Sequence, residues 1–290
     1  MSGKDVALGI ISGVFIGFSI VIMSFVTKTV HPFLYATIST LFAIPFLFII
    51  SFFFSGHDLK GILSSNRGDF FMVFLERAII GGLLLTFGVS MTLAIKSVFL
   101  VQLEPAFVFA WSVLLLKESI RKSKVFLIGS LIFGAFLITT GGAAKIFESV
   151  LFGDLLIVVA LIFLSHSYIL SARMMKKANP MRLNLGFSLL GLPVFVVLSL
   201  LFLPVTAFNI GIYYISLIIV ASLLFNVTGL PLWLLSLKKL KPWVLASAIV
   251  VQTIAGAVLS FLWLGQTLSL VQMVGGAVIL ISVYLIGLRG

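Results

Sequence analysis

Ten stretches of about twenty residues, almost free of charge, follow one another along the chain with short polar breaks between them. They cover roughly residues 5–27, 32–54, 70–93, 97–116, 125–142, 154–173, 183–203, 211–237, 243–264 and 268–288. A bilayer's hydrocarbon core is about 30 Å thick, and a helix needs about 20 apolar residues to cross it. Hydrocarbon offers the backbone no hydrogen-bond partner, so each stretch must pair its own N–H and C=O groups as an α-helix. Composition argues against a water-soluble surface. Of the 290 residues 61% are hydrophobic and 9% charged, where a soluble domain carries about 25% charged residues. The sequence therefore predicts an all-α membrane protein with ten transmembrane helices and no appended soluble domain. The first stretch is not followed by the small-x-small cleavage pattern of a signal peptide. The absence of Cys excludes disulfides and thiolate metal sites.

A net charge of +11 would suit a nucleic-acid partner if it were gathered on one face, but it is dispersed in short loops. With the N-terminus inside, the outer loops hold only Lys28, Lys96 and Lys145, and Arg77 falls within the third stretch. The rest of the 19 Lys and Arg residues lie in the cytoplasmic segments. That asymmetry is the positive-inside pattern of a multi-pass protein with both termini in the cytoplasm, and a plasma membrane is the expected location. The break between the third and fourth stretches rests on Lys96.

The chain repeats itself. Val101-Gln102-Leu103-Glu104-Pro105-Ala106 in the fourth stretch corresponds to Ile249-Val250-Val251-Gln252-Thr253-Ile254 in the ninth. Glu104 then aligns with Gln252, and Glu118 with Gln266, at one offset of 148 residues. Each segment follows a basic turn (Lys96; Lys238-Lys239) and precedes a glycine-containing last stretch (Ile128-Gly129; Val274-Gly275-Gly276). Five stretches per half is an odd number, so the second half must enter the membrane inverted. Inverted repeats are a recurrent plan of secondary transporters, with the solute site near midplane between the halves. The expected organisation is a first five-helix unit over 1–142, a linker over 143–153 and a second unit over 154–290.

These segments resemble the paired EamA-type units of the drug/metabolite transporter superfamily, over essentially the whole chain from Asp5 to Arg289. Lys96, Pro105, Glu118 and Ile128-Gly129 match that pattern in the first half, and Gly265 and Val274-Gly275 in the second. Gln266 stands where the family usually has Glu, and Thr253 where it often has Pro. The Trp-Gly common in the first span appears as Ile16-Gly17. The resemblance implies a ten-span, five-plus-five inverted transporter, with metabolite or amino-acid export as the commonest role.

Ionisable residues inside spans are costly and are functional candidates by default. Glu104 is the foremost, because a buried carboxyl can take up and release a proton during a transport cycle. Pro105 removes a backbone hydrogen bond and kinks the helix, which would free a carbonyl beside it. A structural glutamic acid bonded to a neighbouring helix is the competing reading. Gln252 shares a helix face with Gly256 and Trp263 and is either cavity-lining or interhelical glue. Glu76 and Arg77 point about 100° apart on an α-helix and cannot pair in the i,i+4 manner. Arg77 either snorkels to the interface or contacts solute, and it falls along one face with Gly81 and Gly88. His166, between Ser165 and Ser167, could relay protons or be a neutral structural histidine. Asn226 opens the run Asn226-Val227-Thr228-Gly229-Leu230-Pro231, where a local break would be tolerable beside a cavity. Trp111, seven residues after Glu104, is a weaker cavity candidate. Gly9, Gly13 and Gly17 suit close helix packing. Glu118 with Arg121, Lys122 and Lys124 is interfacial.

Motifs for an enzyme are absent: no His-Glu-x-x-His and no Gly-x-Ser-x-Gly occurs. No cofactor or metal is expected. The expected partners are a small-molecule solute and the lipid bilayer, not nucleic acid, and a homodimer is compatible with the sequence. The function read from the chain is secondary transport by alternating access, and the resemblance implies export as its direction. A proton-coupled cycle with Glu104 as coupling carboxyl stands beside a proton-independent facilitator or exchanger and a non-transporting membrane partner. The cavity is expected between spans one, three, four, six, eight and nine. Its intramembrane charges, Glu76 and Glu104 against Arg77, favour a neutral or cationic solute over a polyanion.

Overall fold

The computed structural model describes residues 3–55, 67–117, 122–141, 152–175, 179–240, 245 and 250–288. They form helices joined by turns, with no strand among the described residues. The helices are α1 (Gly3–Val26), α2 (Pro32–Ser55), α3 (Arg67–Ser90), α4 (Ala94–Leu115) and α5 (Lys122–Thr140). The second half supplies α6 (Phe152–Met175), α7 (Pro180–Phe202), α8 (Ile212–Leu237), α9 (Val251–Leu264) and α10 (Leu270–Leu288). Seven of these, α1–α4 and α6–α8, are long and apolar enough to cross a membrane, and α5, α9 and α10 are shorter apolar helices. The expected ninth stretch begins among residues outside the description. Lys60, Arg121, Lys145, Lys176, Lys177, Lys241, Arg289, Asp58, Glu118 and most of the 143–153 linker also lie outside the described residues.

Large apolar side chains cover the outside: Phe53, Phe126, Leu201 and Leu270 are all more than 70% exposed. A water-soluble monomer rarely shows so much contiguous apolar surface, whereas lipid solvates it at no cost. The polar side chains turn inward, and Ser12, Thr86, Glu104, Asp154, Asn184 and Gln252 are all buried.

Two pairs of equivalent helices, one from each half, lie side by side and run in opposite directions. Along α2 and α7, Thr37 bonds Ser199 at 3.0 Å near one end, while Leu47 packs with Leu185 near the other. Along α5 and α10, Gly134 meets Gly275 backbone to backbone, and Gln272 Nε2 donates to the Ile138 carbonyl at 3.0 Å. A Cβ on Gly134 would sit 2.8 Å from the Gly275 oxygen and one on Gly275 2.7 Å from the Gly134 oxygen, so only glycine permits this crossing.

The halves also cross-pack in equivalent ways. Gly17 of α1 lies directly against the Gln252 carbonyl of α9, leaving no room for a side chain. Ser165 of α6 donates its hydroxyl to the Glu104 carbonyl of α4 at 3.3 Å. The offset of 148 carries Gly17 onto Ser165 and Gln252 onto Glu104, so these are two copies of one contact. The close-packing role expected for Gly17 is the one observed.

Turns gather at two ends. At one, Lys28 Nζ donates to the Ser90 and Thr92 carbonyls at 2.9 and 3.0 Å, and the Ile95 N–H donates to Gln266 Oε1 at 3.0 Å. Met174, Met175, Leu183, Leu237, Leu240 and Leu245 share a buried cluster at the other. Lys96, expected as an outer-loop charge, is instead built into α4 and buried, with its Nζ 2.7 Å from Asp154 Oδ2. Thr92 donates to the other oxygen of Asp154 at 2.7 Å, so this pair ties the start of α4 to α6.

Candidate functional site

A cavity of about 200 Å³ lies among the helices, and both halves line it. It collects Arg77 and Thr86 from α3, Glu104 from α4, Tyr168 from α6, Asn226 and Trp233 from α8, and Gln252 from α9. The α2 and α7 helices line it as well, through Tyr35, Ser39, Asn184 and Ser188, beyond the six spans expected from the sequence. These two helices were missed because a lone Ser or Asn in an apolar run also serves as packing. Only their antiparallel pairing turns those side chains inward.

Glu104 follows a break in its helix. Residues Val101–Leu103 form one 3₁₀ turn, and the α-helix resumes at Glu104-Pro105. Pro105 has no N–H to give the Val101 carbonyl, but the Glu104 N–H takes that carbonyl in 3₁₀ geometry. The carbonyl expected to be free is therefore satisfied, and the consequence of Pro105 is the 3₁₀ turn that precedes it. The Glu104 carboxylate faces the cavity and makes no hydrogen bond or ion pair among the described residues, although it interacts electrostatically with Arg77.

Arg77 turns inward and does not snorkel. Its guanidinium carbon stands 4.2 Å from the Trp233 ring centroid and 5.7 Å from that of Tyr168, and Nη1 donates to Ser167 Oγ at 3.2 Å. Trp233 and Tyr168 meet edge to face at 4.2 Å and share an N–H to hydroxyl hydrogen bond. Both are buried, so together with Arg77 they form a rigid wall at one end of the cavity.

Arg77 and Asn226 stand on matching wide turns. Residues Phe74–Gly81 of α3 and Leu223–Gly229 of α8 are π-helical, and both segments end on glycines 148 residues apart. Such π segments are rare and often mark functional sites. The local break expected at Asn226 takes the form of a π-helical turn, and the helix is not interrupted. Thr228 Oγ1 donates to the Leu223 carbonyl at 2.9 Å, and Asn184 Nδ2 donates to the Asn226 carbonyl. Asn226 Nδ2 then bonds Ser39 Oγ at 3.0 Å, joining α8 to α2. Gln252 is buried at the cavity edge; beside it Thr253 accepts from Gln102 at 2.6 Å and donates to the Val98 carbonyl at 2.8 Å.

The remaining candidates stand apart from the cavity. Glu76 bonds Nδ1 of His166 through both carboxylate oxygens, at 2.8 and 2.7 Å. Trp111 lies 4.7 Å from the His166 ring, and its Nε1 donates to the Ile162 carbonyl at 3.1 Å. Glu76 therefore does not contribute to the cavity's charge, which among the described residues comes from Glu104 and Arg77 alone. The described residues contain no cluster of His, Asp or Glu that could hold a metal ion.

The sequence pattern of the EamA-like transporter family matches the chain twice, over residues 4–140 and 151–288. A solved structure titled "Crystal structure of protein" is similar with a TM-score of 0.76 at 12% identity, covering 100% of this chain and 98% of that one. At that identity the similarity speaks for the fold alone. No curated protein matches the chain by sequence.

Proposed function

The chain belongs to the EamA-like transporter family, and from that premise we propose that it is a secondary transporter exporting a small neutral or zwitterionic metabolite across a plasma membrane. Its ten spans form two inverted five-helix units with both termini in the cytoplasm, and the units rock about the central cavity. The antiparallel pairing of α2 with α7 and of α5 with α10 supports the inversion. So do the duplicated contacts Gly17–Gln252 and Ser165–Glu104.

The observation that carries the reading is one cavity, lined by both units, that holds one carboxylate and one guanidinium. Opposite charges in a site of this size suit a solute that is neutral or carries one charge of each sign, with the buried amides and hydroxyls fixing its orientation. A polyanion would leave the Glu104 carboxylate opposed by like charge. The test is purified protein in liposomes. A thermal-shift screen of metabolites selects candidates, and counterflow with no imposed gradient then asks whether they exchange across the bilayer. Counterflow by wild type that is lost in Arg77→Ala supports carriage through this cavity. Stabilisation without counterflow for every selected solute rejects transport in favour of a binding role.

A further inference from the structure

We propose that the coupling ion of this transporter is a proton held by the Glu76–His166 pair, outside the solute cavity, and not by Glu104; this rests on the transport reading above. The argument begins at the crossing of α3 and α6. Two adjacent residues of one helix meet two adjacent residues of the other. Glu76 pairs with His166 on one side of the crossing, and Arg77 bonds Ser167 on the other side, facing the cavity. The Glu76-Arg77 step lies within the π-helical turn, which divides the two side chains between pair and cavity. A change in the first contact is therefore transmitted to the second through one peptide unit.

The pair can change charge without losing its hydrogen bond. With imidazole neutral, Nδ1–H donates to the Glu76 carboxylate, Nε2 is bare and the pair carries one negative charge. A proton arriving from water on Nε2 gives an imidazolium carboxylate with no net charge, and leaves from the same atom on the opposite side of the membrane. Trp111, 4.7 Å away, offers its ring to the imidazolium. The side chains of His166 and Glu76 are 18% and 11% exposed, against 5% and 2% for the Lys96–Asp154 pair.

The charge change acts on Arg77. Arg77 and Tyr168 adjoin the pair on its own helices, and Glu104 on α4 faces the crossing from the cavity. The other ionisable groups on the packed helices are Arg67 and Asp69 on α3, Arg173 on α6, Arg182 on α7, Tyr35 on α2 and the Lys96–Asp154 pair. When the pair is unprotonated, its negative charge holds the guanidinium toward α6. Protonation releases that pull, and the guanidinium moves toward Glu104 and narrows the cavity.

The chain has no Cys, which allows a test without a known solute. Ser188, on the cavity wall, is replaced by Cys, and its reaction with a membrane-impermeant methanethiosulfonate is timed in liposomes between about pH 5 and 8. Rates are normalised to the same cysteine in denatured protein. The expected result is labelling at least about threefold slower at acid pH, as the closed population grows. That step should be absent in Glu76→Gln and in His166→Gln, in both of which Glu104 is intact. A step that persists in either pair variant overturns the assignment. So does a reactive cysteine with no step in wild type. A cysteine unreactive at every pH instead rejects the accessible cavity, and the transport reading with it.

Discussion

Arg77 lies flat on Trp233 while its Nη1 reaches Ser167, an arrangement that uses a planar guanidinium with several fixed donors. Lysine carries the same charge as a compact ammonium and cannot stack and bond at once. Arg77→Lys should therefore fold normally and weaken solute binding about tenfold, the worth of one lost charge-assisted contact. Titration of the thermal shift against solute concentration reads that change directly. At the other end of the chain's acid–base range, burial holds His31, in the turn before α2, below the ordinary imidazole value of 6.5. The unfolded chain then binds its proton first as pH falls. His31 should cost stability progressively as pH drops below 6.5, with none of this cost above it. Thermal unfolding of His31→Asn should lose part of the wild-type acid slope. These two residues also mark how far sequence reasoning reaches. Glu104, Arg77, Asn226 and Gln252 could be found because each is expensive in hydrocarbon. Trp233, Tyr168 and Asn184 could not, because aromatics and lone amides are ordinary in membrane helices and only the crossing of α6, α7 and α8 brings them together.

Helices here depart from regularity where they meet the cavity. Sequence reasoning expected irregularity at Pro105 and at the Asn226 run, since proline and clustered polar residues announce it. The π turn at Phe74–Gly81 carries no such mark apart from Gly81, and the partition of Glu76 from Arg77 could not be read from an even 100° step. Lys96 was equally opaque. One Lys between apolar residues looks like a loop, and its burial is explained only by Asp154, 58 positions away in the chain. Removing one member of a buried pair strands the other charge, at a cost of about 3–5 kcal/mol, whereas removing both costs far less. Lys96→Met should thus lower unfolding stability sharply, and Lys96→Met combined with Asp154→Leu should recover most of it. A double-mutant cycle by thermal unfolding in detergent measures the coupling. Additive losses would mean the pair contributes no interaction of its own.

The order of the molecule lies in its duplication, and this was the most legible level. The 148-residue offset aligned Glu104 with Gln252, and the same offset relates the two π segments and the two cross-half backbone contacts. Hydrophobic period and charge asymmetry are properties of whole spans, so they survive the loss of any single residue. Side-chain partners do not. On the proposed rocking of two opposed units, each end opens in turn, so fixing either end should stop transport. Thr29, in the turn after α1, donates its hydroxyl to the Tyr214 hydroxyl near the start of α8 at 3.3 Å, one unit to the other. Cysteines at Thr29 and Tyr214 in this cysteine-free chain can be joined by a short bifunctional thiol reagent. Joining them should abolish counterflow while leaving solute-induced thermal stabilisation in place, because the cavity itself is not cut. A cleavable linker should restore counterflow on reduction. Full counterflow with the ends joined would mean that solute passes without separation of α1 from α8, and rocking of the two units would have to be replaced by a local gate.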